Sequence, residues 1–215
     1  MRTIYLFLIF SLSGLSSFGQ DHKREITHYI FPEFVKGTVL MKSGGKNVVM
    51  LNYNALTEEM IFDANGKKLA IGPLDQVDTI YINDRKFFPV EKTFVELIHK
   101  GKYELYARHR CNMVDPGKPA AYGGTSQTSA VTTYSSYMTS GQVYELALPE
   151  GVQTKAYTDY WLKKEGKLTA VVSLRQLAKQ FQEKSDPFKK FVKEHKVDYD
   201  SQASILELIS YLESL

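Results

Sequence analysis

Short apolar runs broken by turn-forming residues dominate the chain from Lys36 onward. The runs fall at 38–41, 48–53, 60–62, 68–71, 77–82, 94–98, 104–109, 143–148 and 156–162. Several alternate: Val77, Thr79 and Tyr81 point one way in an extended chain, Asp78, Ile80 and Ile82 the other. Runs of this length and period predict strands rather than helices. The separators Ser43-Gly44-Gly45-Lys46, Asn65-Gly66-Lys67, Lys100-Gly101-Lys102 and Glu165-Gly166-Lys167 predict tight hairpin turns, because glycine adopts positive φ without strain. Strands joined this way pair antiparallel.

After Val172 the period changes. Leu174, Leu177, Ala178 and Phe181 recur at helical spacing behind Ser173, an N-cap residue type. Asp186-Pro187 reads as a cap followed by proline at the first helical position. Phe188, Phe191 and Val192 would form that helix's apolar face. Ser201 would cap a third helix, with Ile205, Leu208, Ile209 and Leu212 turned inward. The predicted fold class is α+β: a mostly antiparallel sheet, meander- or sandwich-like, followed by three short C-terminal helices. The predicted division is a single domain over 36–215, β-rich over 36–172 and helical over 173–215. The charged stretch 20–35 reads as an exposed lead-in.

The first nineteen residues have a different character. Arg2 precedes the apolar run 4–10, and Ser17 and Gly19 place small residues at −3 and −1 of a cut before Gln20. This is the three-part pattern of a secretory signal peptide. The apolar run is too short for a bilayer, which needs about 20 residues. The expected location is therefore periplasmic or extracellular. No cysteine lies near the cut, so an N-terminal lipid anchor on cysteine is not expected. No transmembrane segment is expected in the mature chain.

Composition narrows the function classes. Of 215 residues, 43% are apolar and 24% charged, which is ordinary for a globular protein. The formal net charge of +3 gives no reason to expect a nucleic-acid partner. A single cysteine, Cys111, excludes an internal disulfide framework. In its strand-like setting it reads as a small buried hydrophobe. The helical region is lopsided: residues 175–196 hold seven Lys/Arg, and residues 197–215 hold four acids and no base. A solvated face explains this better than an acidic docking partner.

Residues 119–144 carry no charge, and sixteen of the twenty residues 122–141 are Gly, Ser, Thr or Tyr. Three readings stay open: a loop, a long hairpin with Thr/Tyr cross-strand pairs, or a recognition surface. Tyrosine offers an apolar ring and a hydrogen-bonding tip. The candidate recognition residues are accordingly Tyr122, Gly123, Gly124, Tyr134 and Tyr137.

The run GKPAAYGGTSQTSA at 117–130, GQVYELALPEG at 141–151 and YWLKKEGK at 160–167 resemble an uncharacterised family of secreted Bacteroidetes proteins. Residues 31–62 and the ending FKKFVKEHKVDYD at 188–200 resemble the same family. The resemblance covers nearly all of the expected mature chain. It implies export and one co-occurring unit, and it brings no activity, ligand or site residue.

Catalytic and metal signatures are weak. Ser43-x-x-Lys46 has the letters of an acylation motif but sits on a glycine turn instead of a helix start. Gly124-Thr125-Ser126-Gln127-Thr128 lacks the second glycine of a nucleophile elbow. His109 and Cys111 would share a strand face, but the flanking arginines oppose a cation. Asp63-Ala64-Asn65-Gly66 begins like a calcium loop and lacks its distal glutamate. His22, His28, His99 and His195 stand singly and read as surface or edge residues. Tyr157, Tyr160 and Trp161 read as core.

No catalytic residue, metal site or cofactor is assigned. The expected function is a non-enzymatic binding or assembly module of the bacterial cell envelope, with an envelope protein or glycan as partner. The alternative is a hydrolase of envelope polymers whose groups converge from distant strands. Mixed charge along the strands argues against an outer-membrane barrel. The expectation of export is directly measurable: mass spectrometry of the native protein should find a chain beginning at Gln20, and retention of residues 1–19 would refute export by this route.

Overall fold

The computed structural model describes residues 28–114, 118–119, 125–126 and 153–215. In chain order the strands are β1 (Val35–Met41), β2 (Lys46–Asn54), β3 (Glu59–Ala64), β4 (Lys67–Ala70), β5 (Val77–Ile82), β6 (Arg85–Val90), β7 (Thr93–Lys100), β8 (Glu104–Val114), β9 (Lys118–Pro119), β10 (Thr125–Ser126), β11 (Gln153–Lys164) and β12 (Lys167–Val171). Helices α1 (Leu174–Gln180), α2 (Ser185–Glu194) and α3 (Gln202–Ser214) follow. Ten strands form one sheet in the order β12-β11-β8-β7-β6-β5-β1-β2-β3-β4, and every pair is antiparallel. β9 and β10 pair separately with each other.

The glycine turns are where the sequence predicts them. Asn65 and Gly66 both take positive φ, 55° and 89°, as a type I′ turn requires. Glu165 and Gly166 do the same at 52° and 77°. Two further hairpins have no glycine: Asn83, at φ 52°, turns β5 into β6, and Glu91, at φ 55°, turns β6 into β7. Strand β6 is not among the predicted strands, because RKFFPV opens on two charges and contains proline. Its pairing with β5 ends at Phe87, so Pro89 lies beyond that ladder, where a missing N–H costs little.

The first half of the sheet curls until β3 approaches β7. The Thr93 hydroxyl donates to the Glu58 carbonyl at 2.9 Å, and the Tyr53 hydroxyl lies 3.3 Å from Thr93 Oγ1. Inside the curl lie Val39, Leu51, Tyr53, Met60, Ile80, Ile82, Phe87 and Phe94. Gly37 sits on β1 between β2 and β5. A Cβ there would fall 2.6 Å from the Tyr81 carbonyl oxygen and 2.7 Å from a Leu51 methyl.

The expected exposed lead-in is corrected over its described part. His28, Tyr29 and Phe31 are buried, and Tyr29 bridges to Asn54. The cause is Asn52, whose amide donates to the carbonyls of Phe31 and Glu33 at 2.9 and 3.1 Å and accepts from Phe31 N at 3.2 Å. This strap holds an apolar pair, Tyr29 and Phe31, against the curl.

The helices cover the second half of the sheet. Ser173 caps α1 by accepting from Gln176 N, and Ser201 caps α3 by accepting from Ser204 N, as the sequence predicts. α2 starts earlier than predicted, so Asp186 and Pro187 occupy its second and third positions. Proline is still tolerated there, since first-turn amides have no intrahelical partner. Leu177, Phe181, Phe188, Phe191, Ile205, Leu208, Ile209 and Leu212 pack with Tyr103, Leu105, Ala107, Tyr160, Leu162 and Val171 of the sheet. Glu213 fastens α3 to the β7–β8 hairpin: it accepts from Tyr103 N at 2.8 Å and lies 2.9 Å from His99 Nε2. Its carboxylate fills the space where a side chain at Gly101 would go. Among the described residues no helix is long and apolar enough to cross a membrane.

This joint core gives a clear expectation. Phe181 has no exposed surface and touches Tyr103 and Phe188. Phe181→Ala should cost about 3–5 kcal/mol in chemical denaturation. Lys189→Ala, at an exposed position on α2, should change stability by less than about 0.5 kcal/mol.

Candidate functional site

The most chemically dense part of the molecule lies where β7 and β8 separate. Their pairing runs from Lys100↔Glu104 to Glu96↔Ala107 and stops. Into the gap comes the β2–β3 turn, 55–58. Asn54 shapes that turn by accepting from the amides of Leu56 and Thr57 at 2.9 and 3.2 Å. The turn is then held on both sides by backbone: Ala55 N donates to the His28 carbonyl at 2.8 Å, and Cys111 N donates to the Ala55 carbonyl at 3.0 Å.

Alternation along β8 divides its side chains between two faces. Leu105, Ala107, His109 and Cys111 share the inner face; Glu104, Tyr106, Arg108 and Arg110 share the outer one. On the outer face Glu58 binds Arg108 and, at 2.8 Å, Arg110 Nε, while Arg110 Nη1 lies 3.2 Å from Asp159. Tyr106, Val95 and Trp161 form a small apolar cluster on that face.

On the inner face a polar layer separates the two main cores. Arg85 donates to Glu96 through Nε and Nη2, both at 2.6 Å, in bidentate geometry. His109 Nε2 lies 2.5 Å from Glu96 Oε2. Burial works to raise the Glu96 pKa, but the hydrogen bonds from His109 and Arg85 outweigh it and the net shift is downward. An ionised carboxylate only accepts, so His109 carries its proton on Nε2 and donates it. The Arg85 guanidinium also lies over the Phe31 and Phe87 rings, at 4.9 and 5.3 Å.

Beside this layer is a pocket of about 260 Å³. The segment His28–Ile30, Ala55, Arg85 and the β8 and β11 residues His109–Cys111 and Ala156–Thr158 line it. His28 is 1% exposed, and neither ring nitrogen has a hydrogen-bond partner among the described residues. Burial drives its pKa down to about 4, so the ring is neutral at pH 7. Cys111 is a buried free thiol whose pKa burial pushes up to about 11, with the Glu58 charge adding to the shift. That is the behaviour of a small hydrophobe rather than a nucleophile.

The structure relocates several of the residues that the sequence suggests. Tyr122, Gly123, Gly124, Tyr134 and Tyr137 lie outside the described residues. The metal reading of His109 and Cys111 meets a different arrangement: His109 is tied to Glu96, with Arg85 Nη2 at 3.2 Å. No cluster of three metal-binding side chains occurs among the described residues. Asp63 accepts from Gly66 N at 2.6 Å and pairs with Lys68, so the calcium-like letters are a turn. Tyr160 and Trp161 are buried, as expected, whereas Tyr157 is only half-buried. His28 is corrected from surface to interior, because Asn52 draws its neighbours inward. Arg85 and Glu96 carry no motif that sequence reasoning recognises. The available signal is Glu96 itself, a lone acid between Val95 and Leu97 in a largely apolar run.

No protein-family description, curated protein or solved structure matches the chain.

The neutral His28 makes a pH prediction. Its ordinary pKa is 6.5 and its folded value is about 4. The unfolded chain therefore takes up a proton first as pH falls. Its contribution to stability is full above about pH 6.5 and is lost as pH drops through about 4. The loss should amount to about 2–3 kcal/mol, since the ring borders a pocket that water reaches. Urea unfolding between pH 7 and 4 should show this slope, and His28→Gln should flatten it.

Proposed function

We propose that the protein is exported and serves as a non-enzymatic binding or assembly module of the bacterial cell envelope. The observation that carries this reading is the state of the ionisable groups around the pocket. Arg85 and His109 are engaged by Glu96, and the Cys111 thiol stays protonated. His28 is neutral and has no partner among the described residues, so it is suited to exchange hydrogen bonds with something held beside it. Such an arrangement is organised to hold a ligand and has no activated nucleophile among the described residues. The signal-peptide pattern of residues 1–19 and the resemblance to secreted Bacteroidetes proteins support the envelope setting.

A hydrolase is the second reading. One observation favours it: His28, His109 and Cys111 reach the same pocket from separate parts of the chain. The raised thiol pKa and the engagement of His109 weigh against it.

The uncharged segment 122–141, with Tyr122, Gly123, Gly124, Tyr134 and Tyr137, is proposed as the contact surface for a larger partner. Capture from native membranes tests this. Replacing 122–141 by a short Gly/Ser connection should change stability little, because loop closure depends weakly on length. The same replacement should abolish capture of the native partners. A folded variant that still captures all of them would place recognition elsewhere.

A further inference from the structure

We infer that the pocket beside His28 binds a neutral, hydroxyl-bearing ring of the size of one monosaccharide. The inference rests on the binding-module reading above and specifies what the module holds.

The argument begins with charge. Burying an unpaired charge is costly, so a pocket selects ligand charge by the charge it leaves uncompensated. This one leaves little. Arg85 reaches the lining, but Glu96 already takes it bidentately. Arg110 belongs to the outer face of β8, where Glu58 and Asp159 hold its guanidinium and balance its charge. No carboxylate among the described residues belongs to the lining. An anionic ligand would meet an arginine whose charge is already balanced, and a cationic ligand would meet no described carboxylate.

Hydrogen bonding sharpens the choice. The His28 ring is 1% exposed, and both nitrogens lack partners among the described residues. A neutral imidazole has one donor and one acceptor, and leaving either buried without a partner costs roughly 1–3 kcal/mol. A hydroxyl is the small group that both donates and accepts. Thr158, which faces the pocket from β11 opposite His109, has the same dual character. Ile30, Ala55, Cys111 and Ala156 supply apolar wall, and the His28 and Tyr29 rings meet at 4.7 Å with a 53° tilt beside it. Adjacent apolar and dual-character polar walls match the C–H face and hydroxyl rim of a sugar ring. The volume of about 260 Å³ is below the usual range of drug-sized pockets, roughly 300–1,000 Å³, and suits one ring.

The same chemistry is offered by a free sugar and by the terminal unit of a glycan. Titration of the ¹⁵N-labelled protein with glucose, galactose, N-acetylglucosamine and chitotriose, followed at the His28 ring nitrogens by NMR, tests the inference. Butyrate, inorganic phosphate and butylamine serve as charged probes. At least one neutral sugar should shift the His28 signals saturably, and the charged probes should not. Tighter binding of chitotriose than of N-acetylglucosamine identifies a glycan end; equal or weaker binding identifies a free sugar. His28→Ala, followed at the backbone amides of the pocket, should weaken binding at least tenfold. Thr158→Val, a milder change of nearly equal volume, should weaken it severalfold in a protein with the wild-type melting temperature. If a charged probe alone saturates the site, the pocket binds ligands but the neutral class is wrong. If no probe moves His28, ordered water alone fills the pocket; the inference then fails, while partner capture through 122–141 still judges the broader reading.

Discussion

The Glu96 carboxylate, held by Arg85 and His109, stands where one face of the sheet passes from one core to the other. Strand β8 makes the passage through its inner-face residues: Leu105 and Ala107 lie under the helices, and Cys111 lies in the curl of the first half-sheet. β7 makes the same transition through Phe94, Glu96 and Ile98 in the opposite direction. One sheet face therefore continues through both cores, and the boundary between them is set by what stands at Glu96 and His109. The Arg85–Glu96–His109 cluster ties β6, β7 and β8 together at that boundary.

The separation of β7 from β8 follows from the same layer. Continued pairing beyond Ala107 would close the space that the 55–58 turn occupies. The turn instead supplies the missing backbone partner for Cys111. Glu58, at φ 61°, directs its carboxylate to the outer face and onto Arg108 and Arg110. Strain at this residue is compensated by two arginines. The pocket is the remainder of the gap that backbone does not fill.

Much of this fold is legible in the sequence, and the illegible parts have physical reasons. Alternation and Gly-containing turns identify most strands, because hairpin geometry demands positive φ. The turn at Glu91 hides because tertiary pairing imposes positive φ on a residue type that seldom adopts it, while Asn83-Asp84 are turn-forming types with no glycine beside them. The caps Ser173 and Ser201 are local interactions and readable; the start of α2 is not, since Lys184 caps without a side-chain bond. The site is the least legible element. His28, Ala55, Arg85 and His109 come together only through the sheet order, and nothing in their spacing reports that β5 returns to pair with β1.

The attachment of Glu213 to the β7–β8 hairpin has a kinetic consequence. Its bonds to His99 and Tyr103 span 114 and 110 residues. The hairpin itself is local and can form early, but its turn waits for the last helix to arrive. Contacts of such separation slow folding, because chain closure precedes any energetic return. The hairpin precedes Glu213 by more than a hundred residues, so the clasp between sheet and helices closes only once α3 has docked on the sheet.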